Sequence, residues 1–244
     1  MSAAPYLTRY KLGIPEDFLA DGVAFHQGSA YFYSHIVSGA GGITPLIVFN
    51  PKQQELSELV PDRKFAIIRA VLPTAEEKRL LVCGFFRPQA QLSTYELAWL
   101  DLDTGKVSVI PGSGRTIIAA AAGNRLALVR RAVSHVAMGD EPAPTCRLEI
   151  LEMGESLDTI GHSIPLYSNP EWLGLSSGGE WVIVLTTSDG VRRSLWLIST
   201  LTRAKELVRK EVLAVQMSPS GRSFFVLPAD TNAVERYSFI GEGQ

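Results

Sequence analysis

Ser218-Pro219-Ser220-Gly221-Arg222 stands between two apolar runs, Val212-Leu-Ala-Val-Gln-Met217 and Ser223-Phe-Phe-Val-Leu227. Serine, proline and glycine together make a turn, and the flanking runs read as strands. The phrase of strand, tight turn and strand occurs four more times upstream. Trp172–Leu175 leads through Ser176-Ser-Gly-Gly179 into Glu180–Leu185. Thr116–Ala122 leads through Gly123-Asn124 into Arg125–Val129. Phe65–Leu72 leads through Pro73–Glu77 into Lys78–Val82, and Gly22–Phe25 leads through His26-Gln-Gly28 into Ser29–Tyr33. The spacing of roughly 40 to 55 residues lies in the period range of propeller blades.

A second half-unit recurs as well. Tyr95–Leu102, Asp103-Thr-Gly-Lys106 and Val107–Ile110 again spell strand, turn and strand. Weaker copies are Pro45–Phe49 with Asn50-Pro-Lys52, Arg147–Leu151 with Glu152-Met-Gly154, and Ser194–Ile198 with Ser199-Thr200. Each unit thus has four strands, a to d. The chain is expected to be all-β, one domain over residues 1–244, a five-bladed β-propeller of four-stranded blades. The blades are expected at about 21–60, 65–111, 116–161, 171–208 and 211–241. Strand a reads as the most continuously apolar and is assigned the innermost place. The fifth unit lacks strand d. Residues 6–12 are assigned to pair beside residues 234–240, completing the last blade and removing two exposed edges. A β-sandwich is the competing fold, but a sandwich needs no phrase repeated five times.

Ser-Pro-Ser-Gly-Arg before an aromatic-rich strand, with Asp101-Leu-Asp-Thr-Gly-Lys106 later in the unit, resembles TolB-type and WD40-like propeller repeats. No Gly-His and Trp-Asp pair recurs, unlike true WD40 repeats, and TolB-type propellers are usually six-bladed and larger. The resemblance implies a fold and no activity.

Hydrophobic residues are 46% and charged residues 20% of the 244, with a net charge of −2. This composition folds, and it carries no strong field toward nucleic acid or an anionic membrane. No stretch approaches the ~20 apolar residues that span a bilayer. The first ten residues lack the basic-then-apolar pattern of a secretory signal. Two cysteines, Cys83 and Cys146, suit a reducing compartment, and a cytoplasmic location is expected.

The four histidines, His26, His35, His135 and His162, lack metal-ligand spacing. No Gly-x-Ser-x-Gly elbow occurs. Ser38-Gly-Ala-Gly-Gly42 precedes a strand rather than a helix, which favours a hairpin over a phosphate cradle. Asp140-Glu141 has no third carboxylate at calcium spacing. No metal and no cofactor are therefore expected. Some five-bladed propellers are furanosidase-type glycosidases, resembling the chain in blade count alone. Their chemistry needs two converging carboxylates. Asp21, Glu171 and Glu211, at the starts of inner strands, are the set available. Arg63, Lys64 and Arg115 hold the matching positions of blades two and three, and a non-catalytic reading is preferred.

A partner is expected on the face formed by the d–a and b–c loops, which vary on a rigid ring. The long segment 132–145 carries His135, Met138, Asp140 and Glu141. Segment 163–172, read as a loop, carries Tyr167 and Trp172, residue types that anchor interfaces. Packing at a blade junction is the competing reading of Trp172. Arg63, Lys64, Arg69, Arg115, Arg192, Arg193, Arg209 and Lys210 give the face a positive bias, toward an acidic partner segment or a phosphorylated ligand. The leading expectation is a protein–protein interaction scaffold or a subunit of a larger assembly. A small-ligand enzyme and a sensor of an anionic ligand are the alternatives. Nucleic acid is not expected, because aromatic and basic residues hardly interleave.

Overall fold

The computed structural model describes residues 12–13, 18, 20, 22–33, 46–59, 67–72, 74–85, 95–132, 144–153, 157–159, 163–188, 190–218 and 220–239. These residues form twenty strands in five antiparallel sheets. Blade one is β1 (Gly22–His26), β2 (Ser29–Tyr33), β3 (Leu46–Asn50) and β4 (Glu55–Leu59). Blade two is β5 (Ile67–Leu72), β6 (Arg79–Phe85), β7 (Glu96–Asp101) and β8 (Val107–Val109). Blade three is β9 (Thr116–Ala122), β10 (Arg125–Arg131) and β11 (Cys146–Met153), with an outer edge shared by β12 (Leu157–Thr159) and β13 (Ile164–Leu166). Blade four is β14 (Asn169–Leu175), β15 (Trp181–Thr187), β16 (Arg193–Ser199) and β17 (Lys205–Lys210). Blade five is β18 (Val212–Met217), β19 (Ser223–Pro228) and β20 (Glu235–Ser238). The five sheets make a five-bladed β-propeller. No helix among the described residues is long and apolar enough to cross a membrane.

Turn chemistry repeats with the blades. Ser218 Oγ accepts the Ser223 amide at 3.2 Å, and the Gly221 amide donates to the Ser218 carbonyl at 2.9 Å. Blade four repeats this turn atom for atom: Ser176 Oγ accepts the Trp181 amide at 3.1 Å, and the Gly179 amide donates to the Ser176 carbonyl at 2.8 Å. Both glycines lie in the left-handed region, at φ +67° and +70°. The c–d turns share another plan. Asn50, Asp101 and Ser199 each accept a downstream amide on a side-chain oxygen. The fourth residue beyond each is left-handed: Gln54 at φ 54°, Gly105 at φ 69° and Arg203 at φ 64°.

The core is divided into four apolar wedges, one per junction of successive blades. Strand b of the middle blades does the dividing. Leu80 and Val82 of β6 pack toward blade one, while Leu81 and Cys83 pack toward blade three. Leu126 and Leu128 of β10 face blade two, and Ala127 and Val129 face blade four. Val182 and Val184 of β15 face blade three, and Ile183 and Leu185 face blade five. Side chains alternate across a strand, so a strand with two packed faces must be apolar at every position. The a–b hairpin tips tie each junction. His26 Nε2 lies 3.4 Å from the Glu77 carbonyl, and the Ala75 amide donates to the Gly123 carbonyl at 3.3 Å. Arg125 Nη1 donates to the Gly178 and Gly179 carbonyls at 3.2 Å each, and the Ser177 amide to the Gly221 carbonyl at 3.0 Å.

Two expectations are corrected. Strand a is innermost, but strand b is the most continuously buried; β6 and β15 are buried at six of seven positions, whereas β1 alternates. The physical reason is that strand a spends one face on the axial channel. Segment 163–172 is not a plain loop, because Ile164–Leu166 pairs with β11 and Asn169 already starts β14. The proposed closing strand over residues 6–12 and its pairing fall outside the described residues, apart from Leu12. No apolar wedge joins blade five to blade one among the described residues.

Candidate functional site

The cleft opens on the d–a and b–c face of blade three. Gly112, Gly114, Arg115, Arg130, Arg131, Ala132, Arg147 and Glu149 line a volume of about 450 Å³. Four guanidinium groups thus meet one carboxylate. They come from three places in the sequence, and the β9–β10–β11 ladder brings them together. Arg130 sits opposite Arg147 across β10 and β11. Like charges directly opposite on a sheet destabilise it. Glu149, one step along β11 on the same face, offsets part of that cost. Its Oε2 lies 3.3 Å from Arg130 Nε, which is buried and has no hydrogen bond. Arg115, Arg131 and Arg147 are exposed and form no ion pair among the described residues.

The loop that presents Arg115 is fixed. Ser113, 1% exposed, accepts the Leu97 amide at 3.0 Å on its hydroxyl and donates to the Ile110 carbonyl at 2.7 Å. Thr116 Oγ1 donates to the Ser113 carbonyl at 2.7 Å. The Arg131 amide donates to the Arg115 carbonyl at 3.0 Å. Arg115 itself is left-handed at φ +66°, a conformation a side-chain-bearing residue holds only where its surroundings impose it. The backbone that presents Arg115 is therefore preorganised, so an anion bound there need not order that loop. Arginine also offers planar, paired donors that match carboxylate and phosphate.

Other expected site residues are dispersed. Arg193 Nε pairs with Glu171 Oε2 at 2.7 Å, and Thr187 Oγ1 donates to Glu171 Oε1 at 2.5 Å. Arg193 Nη1 also donates to the Leu213 carbonyl at 3.0 Å, tying blade four to blade five. Glu171 is thereby committed to a structural clamp. Glu211 is exposed in a left-handed turn at φ 55°. Arg209 binds both oxygens of Asp230, at 2.7 and 2.9 Å. Arg192 is exposed. Tyr167, 54% exposed, stands on the outer flank of blades three and four, where Lys205 Nζ lies 5.9 Å from its ring centre. Trp172 lies elsewhere: it packs against the wedge between blades four and five, the competing reading, and also lines the axial channel. Asp21, Arg63, His135, Met138, Asp140 and Glu141 fall outside the described residues. No group of three metal-ligating side chains occurs among the described residues. Of the expected basic residues that are described, Arg115 alone belongs to the cleft. Arg130, Arg131 and Arg147 were missed, although strand register between their two runs would have paired them.

No family model matches the chain. No curated protein matches it. Solved structures do resemble it. Hydrazine synthase of Kuenenia stuttgartiensis superposes with a TM-score of 0.58 at 13% identity, over 91% of this chain and 72% of the other. TolB of Acinetobacter baumannii gives 0.58 at 12% identity, over 88% and 51%. An oligogalacturonate lyase gives 0.51 at 9% identity, over 83% and 56%. The chain thus spans about half the length of the TolB and lyase chains. At these identities the likeness extends to the propeller fold and no further.

Proposed function

We propose that this protein is a non-catalytic interaction module whose blade-three cleft receives an acidic segment of a partner protein. The carrying observation is the set of four arginines around one glutamate, on the loop-bearing face of a rigid ring. Opposed Arg130 and Arg147 gain from an anion placed between them. The enzyme reading has less support, because Glu171 is held by Arg193 and Thr187. A small anionic ligand is the second reading, favoured by the cleft's volume of about 450 Å³. Two buried, unpaired cysteines support a reducing compartment such as the cytoplasm.

Fluorescence anisotropy with a labelled octaglutamate peptide tests the proposal, with octalysine as control. Octaglutamate should bind, octalysine should not, and affinity should fall steeply with salt, since exposed charges are screened within about 10 Å at 0.1 M. Arg115→Glu and Arg147→Glu should each weaken binding at least tenfold. Equal binding by both variants and the parent protein would overturn the reading. Inorganic pyrophosphate binding without octaglutamate binding would select the small-ligand alternative.

A further inference from the structure

The inner strands of all five blades enclose an axial channel of about 950 Å³. Its described lining runs from Gly22–Phe25 of blade one, past Leu72 and Thr74, along Ala119–Gly123, to Trp172–Leu175 and Gln216–Ser218. No aspartate, glutamate, histidine, lysine, arginine or cysteine is among the described lining residues. That volume matches a small-molecule site, and such sites combine apolar walls with a few polar groups.

The aromatic walls are built rather than incidental. A Cβ on Gly22 would stand 2.3 Å from the Tyr33 ring. A Cβ on Gly174 would stand 2.4 Å from the Trp172 ring. Each glycine leaves room for the edge of a ring against inner-strand backbone. Phe25 and Val23, both lining residues, are 69% and 47% exposed. These are large apolar side chains turned toward water inside the ring. Thr74, Ser177, Ser218 and Ser220 line the a–b hairpin end. The channel is therefore apolar along its wall and polar at one mouth.

We infer that the axial channel binds an uncharged small molecule carrying an aromatic ring, with the ring against Phe25. A charged ligand would lose its hydration there without meeting an opposite charge among the described lining residues, which is strongly unfavourable. A neutral ring covers Phe25 and Val23, and burying such side chains is favourable. This site is independent of the arginine cleft.

The test is a fluorescence titration of the full-length protein with 1-aminoanthracene, which is neutral at pH 8. Saturable binding at one site per chain is expected. Phe25→Ala and Val23→Asp should each weaken it at least tenfold, and anthracene-1-carboxylate should bind the parent protein at least tenfold more weakly. Arg147→Glu should leave 1-aminoanthracene binding unchanged, which separates this site from the cleft. Circular dichroism checks the fold of each variant. Should Val23→Asp fail to fold, Phe25→Ala, which alters an exposed side chain, decides alone. Absence of saturable binding, or binding that Phe25→Ala leaves intact, overturns the inference.

Discussion

Arg130 and Arg147 stand directly opposite each other on β10 and β11, a like-charge pair one step from the end of the ladder. The pair costs stability while the cleft is empty. Arg147→Gln should therefore raise the melting temperature slightly at low salt, by an amount corresponding to about 0.2–1 kcal/mol. The same substitution should abolish any thermal stabilisation that octaglutamate gives the parent protein. Melts with and without the peptide check both. Lower stability in Arg147→Gln would show that the arginine is structural.

Burial pushes the Cys83 thiol up, from 9.0 to about 12. The folded thiol keeps its proton where the unfolded one has lost it. Its contribution is thus complete below pH 9 and is lost as pH rises from 9 toward 12. Stability should decline over that window by up to about 1.4 kcal/mol per pH unit from this group. Urea titrations at pH 8, 9, 10 and 11 measure it, and a Cys83→Ala control removes this component of the slope. At pH 8 the native thiol should also resist iodoacetamide, since only about one in ten thousand molecules carries the thiolate.

Arg203 holds a left-handed conformation in the c–d turn, at the position where blade two has Gly105. Arg203→Gly should stabilise the protein by up to about 1 kcal/mol by removing that strain. Gly221→Ala should do the reverse and cost more. Its φ is +67°, and a Cβ there would come within 2.9 Å of the Ser177 amide nitrogen, the donor to Gly221's own carbonyl. Gly28→Ala, at φ +77° with nothing within 4 Å, should cost the backbone strain alone. Chemical denaturation should rank Arg203→Gly the most stable of the three, Gly28→Ala next and Gly221→Ala last.

Leu81 and Val82 are chain neighbours that serve different junctions. Leu81→Val and Val82→Ala should each destabilise by about 1 kcal/mol or more. Their double mutant should be additive within about 0.5 kcal/mol, since no packing partner is shared. A larger interaction energy would mean that the two wedges repack together.

The repeat was legible because its two informative parts are local. In blades four and five a serine three residues before a glycine builds the a–b turn, and a strand packed on both sides must be apolar throughout. What stayed hidden depended on non-local structure. Gln54 and Arg203 carry no sequence sign of a left-handed backbone, because neighbouring hydrogen bonds impose it. Ile164–Leu166 is too short to announce a strand, and only pairing with β11 makes it one. The cleft was half visible: Arg115 was read as part of a diffuse basic face. Its companions meet it only through strand register, while Arg193 and Arg209, equally basic in sequence, are neutralised by partners distant in the chain.

The four wedges share no residue, and none spans from blade five to blade one among the described residues. Among the described residues the wedges link the blades as a linear array, with blades two, three and four held between two neighbours and the end blades joined by a wedge to one each. Native-state hydrogen exchange should then be graded by position. The amides of β10 in blade three should open last, those of β1 and β19 first, and fraying should advance inward one blade at a time.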